Sequence, residues 1–496
     1  AAPGAASADA ATSAGPVPPP PERPKAPFRA RRWVLGAVGL GVLGLAGWAT
    51  WHEFQYSSVQ ARVASGIAGE LTFSLQPGPT TAVRYPGEGP YDTRFGYHQL
   101  PGMIERLKQQ GYGVTEQARM SPRMLAVSDQ GLFPIYREKS QAGLALRDCR
   151  ARPMYALRTP ERVYDRFEAV PALMRDALLF IENRELLDPQ RPATRNPAVE
   201  WDRFGKAVVD QAVRRIIDDH SAGGGSTLAT QIEKYRHSPD GRTDSAAEKL
   251  RQMASATLRA YSRGEDTTPR RREIVLDYLN TVPLAARAGF GEVNGIGDGL
   301  WAWFGRDFDE VNRLLAPGVT GGTPGSDPEL AERALAFKQV LGLVVAQRRP
   351  SYYLLDGVAD LGELVNAHLR LMAASGLITP ALRDSALMQP LQMRTQAPAR
   401  TPVSFVERKA TNATRTKLSA LLDVPRAYDL DRFDLTATSS LDSGIQRTAT
   451  ELLRSLSTKE GARAAGLVGF RLLGEADDPA PLVFSFTLFE RTPGAN

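Results

Sequence analysis

Nineteen consecutive residues without a charge, Trp33–Trp51 (WVLGAVGLGVLGLAGWATW), constrain this chain more than any other feature. A helix needs about 20 apolar residues to cross a bilayer core, so the run fits one crossing. Trp33, Trp48 and Trp51 lie at its ends, where aromatic rings favour the membrane–water interface. Arg23, Lys25, Arg29, Arg31 and Arg32 precede it, whereas Glu53 follows and the next basic residue is Arg62. Basic flanks stay on the cytoplasmic side. The expectation is therefore a cytoplasmic tail over 1–27, a transmembrane helix over 28–52 and an outward-facing bulk from 53 on. The tail is rich in Ala, Pro and Ser and cannot form a core. A cleaved signal peptide is the competing reading. Against it, the run is long for a signal core and no clear small-residue cleavage site follows. Ala37 and Gly41 form one small-xxx-small pair, which suits helix packing or simply reflects low side-chain bulk.

The rest of the 496 residues has room for two or three domains. The balance of 61 basic to 55 acidic residues gives +6. That excess is too small to argue for nucleic acid, and it suits anionic lipid or phosphate-bearing ligands. The single cysteine, Cys149, excludes an internal disulfide. His52, His98, His220, His237 and His368 lack metal-ligand spacing, so a zinc enzyme is not expected. The first residue is not Met, and the expectation is a processed chain or a fragment.

Residues 53–160 read as a small α+β domain that docks or spaces. Met103–Gln110 has a helical pattern stopped by Gly111, and Tyr112–Ala118 alternates like a strand. From about 161 the pattern turns helical. Pro171 starts a helix whose Leu173, Ala177, Leu178 and Ile181 share a face. Further helices are expected over Trp201–Ile217, after the glycine turn Gly223–Gly225, over Ser245–Arg263 and over Arg270–Asn280. Ala331–Ala346 and Leu361–Ser375 add two more. A Pro-rich strip, Gln396–Pro402, closes this mainly α region. Beyond it Asp434–Ala437 and Val483–Phe489 look like strands, so 396–496 reads as a linker and the start of another domain.

Three clusters carry chemistry. Glu182 ends an apolar helix in the run Phe180-Ile181-Glu182-Asn183-Arg184. A carboxylate leaving an apolar helix end is partly desolvated and makes a better base near neutral pH. The plainer reading is a solvated Glu paired to Arg184. The run Gly223–Lys234 (GGGSTLATQIEK) is more specific. Its glycines allow close backbone approach, Ser226 and Thr227 cap a helix, and the helix N-terminus offers free N–H groups to an anion. Thr227, Gln231 and Lys234 are expected on about one face. No Walker ending follows, and an ordinary capped turn is the alternative. Third, Lys249, Gln252 and Ala256 share a helix face, and Lys249 with Arg242 could hold a pyrophosphate through charge-assisted bonds. A solvated basic face is the alternative there. Arg270-Arg271-Arg272 reads as such a face.

The order of these pieces resembles the family 51 glycosyltransferases, the peptidoglycan polymerase domain of class A penicillin-binding proteins and their monofunctional relatives. The resemblance covers roughly 165–390. The family's Glu-Asp-x-x-Phe is similar to Glu182-Asn183-Arg184-Glu185-Leu186. Its Gly-Gly-Ser-Thr with a following Gln and Lys matches Gly224, Gly225, Ser226, Thr227, Gln231 and Lys234. Its Arg-Lys-x-x-Glu falls on Glu248-Lys249-Leu250-Arg251-Gln252. Tyr278-Leu279-Asn280 and the run Glu292–Gly305, closing on Trp303-Phe304-Gly305, resemble the last two motifs.

The resemblance implies a mainly α, lysozyme-like glycosyltransferase domain over 161–395, lying against the inner (cytoplasmic) membrane on its periplasmic side. It implies lipid II as acceptor and the growing glycan chain, on its lipid pyrophosphate, as donor. Glu182 would be the general base, and Lys234, Lys249 and Arg242 would hold the leaving group. Asn183, Arg184, Gly225, Ser226, Thr227, Gln231 and Glu292 fall on substrate-binding motif positions. The second catalytic position falls on Gln252. Members of the family often use a divalent cation, Mg or Mn, at the pyrophosphate, and this sequence shows no dedicated ligand set. The segment Glu185–Ala222 would form the membrane-facing lobe. Residues 53–160 sit where some members dock a cell-wall synthesis activator.

Several positions depart from the pattern. Gln252 replaces a Glu and cannot carry charge or take a proton. Asn183 replaces Asp, Leu186 replaces Phe, Glu248 reverses the charge of an Arg, and the usual downstream His is absent. Thr438–Gln446 resembles the lead-in to a transpeptidase domain, yet no Ser-x-x-Lys occurs in the sequence, so no transpeptidase nucleophile is present. The expectation is the front part of a bifunctional synthase. Two other functions stay open: a lysozyme-like glycan-cleaving enzyme, which needs no pyrophosphate site, and a non-catalytic scaffold that binds lipid II or a cell-wall partner, favoured by Gln252.

Overall fold

The computed structural model describes residues 15, 28–87, 89–201, 226–317, 324–396 and 405–486, with backbone only for 28–32 and 405–409. The N-terminal unit, residues 1–54, holds most of one helix, Phe28–Tyr56. Its stretch Trp33–Tyr56 is long and apolar enough to cross a membrane, and its tryptophans, leucines and valines are exposed. Of the helix expected over Trp201–Ile217, all but Trp201 lies outside the described residues.

The second unit, residues 55–496, is mostly helical. Its centre is the helix Pro328–Ala346. Asp327 caps it by accepting from the N–H groups of Glu329 and Leu330, and Pro328 occupies the first turn, where no donor is missed. Ala334, Ala336, Phe337, Val340, Leu341, Leu343 and Val345 are fully buried, so the helix is enclosed by others from Ala336 to its C-terminal end. The helix Ala172–Glu182 packs on it through Met174, Ala177 and Leu178, as does Pro380–Met388. Pro171 is the N-cap rather than the first helical residue, and the helix stops at Asn183, whose backbone leaves the helical region (φ −159°, ψ 77°). The expected helices appear at Leu228–His237, Ala246–Ala260, Thr268–Thr281 and Val358–Ala374.

Among the described residues, three small sheets complete the unit. β1 (Phe73–Pro77) pairs antiparallel with β2 (Glu116–Met120). The strand expected over Tyr112–Ala118 thus starts only at Glu116, where β1 supplies a partner. β3 (Leu144–Arg147) lies between antiparallel β4 (Pro153–Ala156) and parallel β7 (Leu435–Thr438). Residues 53–160 and 396–496, read from the sequence as separate pieces, are therefore joined in one sheet. They also share a core of Met103, Leu144, Leu146, Leu422, Leu430 and Phe433. β5 (Pro283–Arg287) and β6 (Gly291–Asn294) form a hairpin. The strand expected at Val483–Phe489 does not form over its described residues, 483–486. Alternation alone makes no strand without a partner ladder, and Val483 is exposed.

A buried ionic cluster locks the helices to the 89–138 segment. Glu138 accepts from Arg236 at 2.7 Å, from Arg259 at 2.8 Å and from His237 Nε2 at 2.7 Å, while His237 Nδ1 faces Asp92 at 2.9 Å. Arg259 also bonds Glu233 at 2.7 Å. Burial works against the Glu138 anion, but Arg259, His237 and Arg236 outweigh it and hold the carboxyl well below its usual range. Burial likewise opposes the imidazolium, yet Glu138 and Asp92 raise His237 to about 10.

A group raised on folding stabilises fully below its unfolded value, about 6.5, and loses that contribution as pH rises through its folded value, about 10. Unfolding stability should fall across that window, by on the order of 4 kcal/mol from this residue. In His237→Gln the alkaline fall should flatten, which chemical denaturation at pH 6.5 to 10 measures. An unchanged slope would show that His237 is not the titrating group.

Candidate active site

Two helix ends meet at Glu182. The Ala172–Glu182 helix ends on this carboxylate, and the central helix ends just before Gln347 and Arg348. Gln347 Nε2 donates to Glu182 Oε1 at 2.9 Å, and Gln231 Nε2 donates to Oε2 at 2.9 Å. Arg348 stands 3.7 Å from Oε1, half exposed, while the Glu182 side chain is only 10 % exposed. Tyr278, fully buried, donates to Gln231 Oε1 at 3.3 Å and so sets which way that amide points. Both carboxylate oxygens are thus held by amide donors, a fixed acceptor rather than a solvated surface charge. Arg184 is not the partner of Glu182. It bends back to the carbonyl of Phe180 at 2.9 Å and stacks on that ring at 3.9 Å.

The Leu228–His237 helix brings Lys234 beside Glu182, and the Ala246–Ala260 helix brings Lys249 beside Lys234. The N-cap of the first helix, Thr227, accepts from Thr230 N–H, and the Thr230 hydroxyl accepts from Thr227 N–H, a reciprocal capping box. Thr227 also donates to the Ala198 carbonyl at 3.1 Å and is 1 % exposed. Thr227 takes the capping role expected of it, and its hydroxyl, turned inward, is engaged by the cap and the Ala198 carbonyl. Ser226, one residue earlier, accepts from Lys249 Nζ at 2.7 Å. Burial lowers the pKa of Lys234, against the pull of the Glu182 carboxylate. Burial and then Lys234 lower that of Lys249. Two half-buried ammonium groups close enough to disfavour each other are relieved by an incoming polyanion.

The remaining expected residues fall elsewhere. Gly225 lies outside the described residues. Asn183 is buried at the helix end. Arg184 lines a cleft of about 980 Å³ with Leu179, Phe180, Leu187, Arg191 and Arg272. Arg242 is exposed on the loop after the Leu228–His237 helix. Glu292 is held by Arg432 at 2.6 Å and lines a different cavity. Gln252 is fully buried and donates to Ser238 Oγ at 3.0 Å and Thr243 Oγ1 at 2.9 Å, pinning the loop that carries Arg242. The Tyr278–Asn280 motif is structural at its far end, where Asn280 brackets the Tyr164 backbone at 2.8 Å on both sides. Gly305 closes the last motif at φ +70°, a turn that glycine makes at no steric cost.

Gln347 and Arg348 carry no motif in the sequence. The one available signal was a polar pair following an apolar helix, the same pattern that marks Glu182. No group of three or more His, Cys, Asp or Glu side chains among the described residues could hold a metal. The lysine pair repels a cation.

This geometry sits inside a recognised family. Residues 151–372 match the Transglycosylase family model, so the chain carries a glycosyltransferase family 51 domain and is a transglycosylase-type enzyme. The match begins ten residues before the boundary expected at 161 and ends before the expected 395. No curated protein matches the chain.

Two outcomes test the site. Gln347→Ala frees one oxygen of Glu182 and should slow glycosyl transfer by roughly 10²-fold with stability nearly unchanged; an unaltered rate would remove Gln347 from the site. Gln252→Glu puts a carboxylate against Ser238, whose hydroxyl is already given to Glu248. It should cost about 1–3 kcal/mol and give no gain in rate, read by thermal melts alongside turnover. A faster enzyme would show that the position wants charge.

Proposed function

We propose that this chain is a membrane-anchored peptidoglycan glycosyltransferase that polymerises lipid II into β-1,4-linked glycan. The observation that carries the reading is one carboxylate clamped by two amides beside two half-buried lysines. Glu182 takes the proton from the 4-hydroxyl of the acceptor sugar. That oxygen forms a bond to the donor's anomeric carbon with inversion, and the bond to the lipid pyrophosphate breaks. Lys234 and Lys249 take up the charge that grows on the departing pyrophosphate, and Ser226 orients Lys249. A divalent cation would have to arrive on the pyrophosphate itself, so no step is assigned to it. The Trp33–Tyr56 helix anchors the enzyme in the inner membrane with its bulk in the periplasm, and 53–160 offers a docking face for an activator.

A glycan-cleaving enzyme would have no use for the lysine pair. A non-catalytic scaffold loses its best support, because Gln252 serves the fold rather than the missing charge. Labelled lipid II given to the detergent-solubilised chain should yield polymer. Glu182→Gln should abolish polymer, by at least about 10²-fold, while lipid II binding persists. Binding without polymer by the unaltered chain would sink the polymerase reading, and cleavage of preformed glycan would replace it with the hydrolase.

A further inference from the structure

Tyr235 and Arg236, the neighbours of Lys234 in sequence, face a different cavity. It has a volume of about 560 Å³, within the range of small-molecule sites. Its walls come from the 90–99 segment, the Leu228–His237 helix, the β5–β6 hairpin and residues 426–433. Four guanidinium groups line it. Arg432 is paired with Glu292 at 2.6 Å, Arg426 with Asp429 at 2.7 Å and Arg236 with Glu138 at 2.7 Å.

Arg94 is different. It has no carboxylate partner and no hydrogen-bond acceptor among the described residues, and its Nε is buried and unpaired. Its guanidinium rests on the Phe95 ring at 4.6 Å and lies 5.9 Å from that of Tyr91. Arg236 Nε, also buried, lacks a partner too. Burial draws the Arg94 pKa down to about 10; Glu292 opposes this, and the Arg432 and Arg236 charges add to it. A cation enclosed in this way costs free energy until an anion meets it. Glu292 cannot do so without leaving Arg432. Around Arg94 the cavity offers the side chains of Thr93, Gln99, Asn294, Ser351 and Tyr428, which suits an organic ligand better than a bare ion.

We propose that this cavity binds a small organic anion, its carboxylate or phosphate taken by the free fork of Arg94. The site is separate from the lysine pair at Glu182 and stands whether or not the polymerase reading does. The test uses the full chain in detergent carrying Lys234→Gln and Lys249→Gln, which silences the other anion cradle. Succinate and inorganic phosphate are titrated separately by calorimetry. Saturable one-site binding of either is expected, succinate assigning a carboxylate ligand and phosphate a phosphoryl one. Adding Arg94→Gln should weaken it by roughly tenfold or more. Asn294→Asp, which adds a negative charge to those of Asp240, Glu292 and Asp429 in the cavity wall and keeps Arg94, should weaken it as well, so the result does not hang on one variant folding. No saturable binding of either probe, or binding unchanged by both substitutions, would overturn the proposal.

Discussion

Glu138 is the residue on which the arrangement of the second unit depends. A carboxylate with 2 % of its side chain exposed is tolerated only if its charge is fully met. Arg236, His237 and Arg259 meet it from two helices, and Asp92 and Glu233 complete the cluster. Removing any one partner strands a buried charge. The helix Leu228–His237 is therefore fixed at its C-terminal end by ions and at its N-terminal end by the Thr227 capping box. Gln231 and Lys234 lie between those two fixed ends, which is how the fold gives them a defined place beside Glu182.

The central helix supplies the other half of that precision. It is buried from Ala336 to Ala346, and it delivers Gln347 to the carboxylate where the Ala172–Glu182 helix ends. A base held by two amides needs little rearrangement to accept a proton. The lysines carry the opposite strain, as cations kept partly from water and near each other. A rigid acceptor on one side and half-buried positive charge on the other is the arrangement on which the proposed transfer reaction rests.

Much of the helical architecture was legible in the sequence, since apolar spacing at 3.6 residues marks a buried face wherever the helix goes. The helices expected over Met103–Gln110, Ser245–Arg263, Arg270–Asn280, Ala331–Ala346 and Leu361–Ser375 all appear within three residues of those ends. Strands were read less well. Tyr112–Ala118 was displaced and Val483–Phe489 did not form over its described residues, because a strand's limits are set by its partner. Glu182, Gln231, Lys234 and Lys249 were singled out by a resemblance in motif order, and the fold places Gln231 and Lys234 beside Glu182 and Lys249 beside Lys234. The cap at Thr227 was legible from its place after the glycines, but the loop contacts of Gln252 were not, because an amide reads the same in sequence whether it turns toward a ligand or inward to a loop.

By itself the sequence determined the apolar Trp33–Trp51 run, the mainly helical character and the family 51 motif order. These are properties of local spacing and residue type, which need no knowledge of what lies across the fold. Only the tertiary structure decided that Gln347 holds Glu182, that Gln252 braces a loop, that β3 joins β7 and that Arg94 is left without a counter-charge. Each of those depends on which distant segment arrives as the partner. A hydrogen bond or ion pair acts over about 3 Å, and no pattern within one segment encodes the group that will stand at that distance.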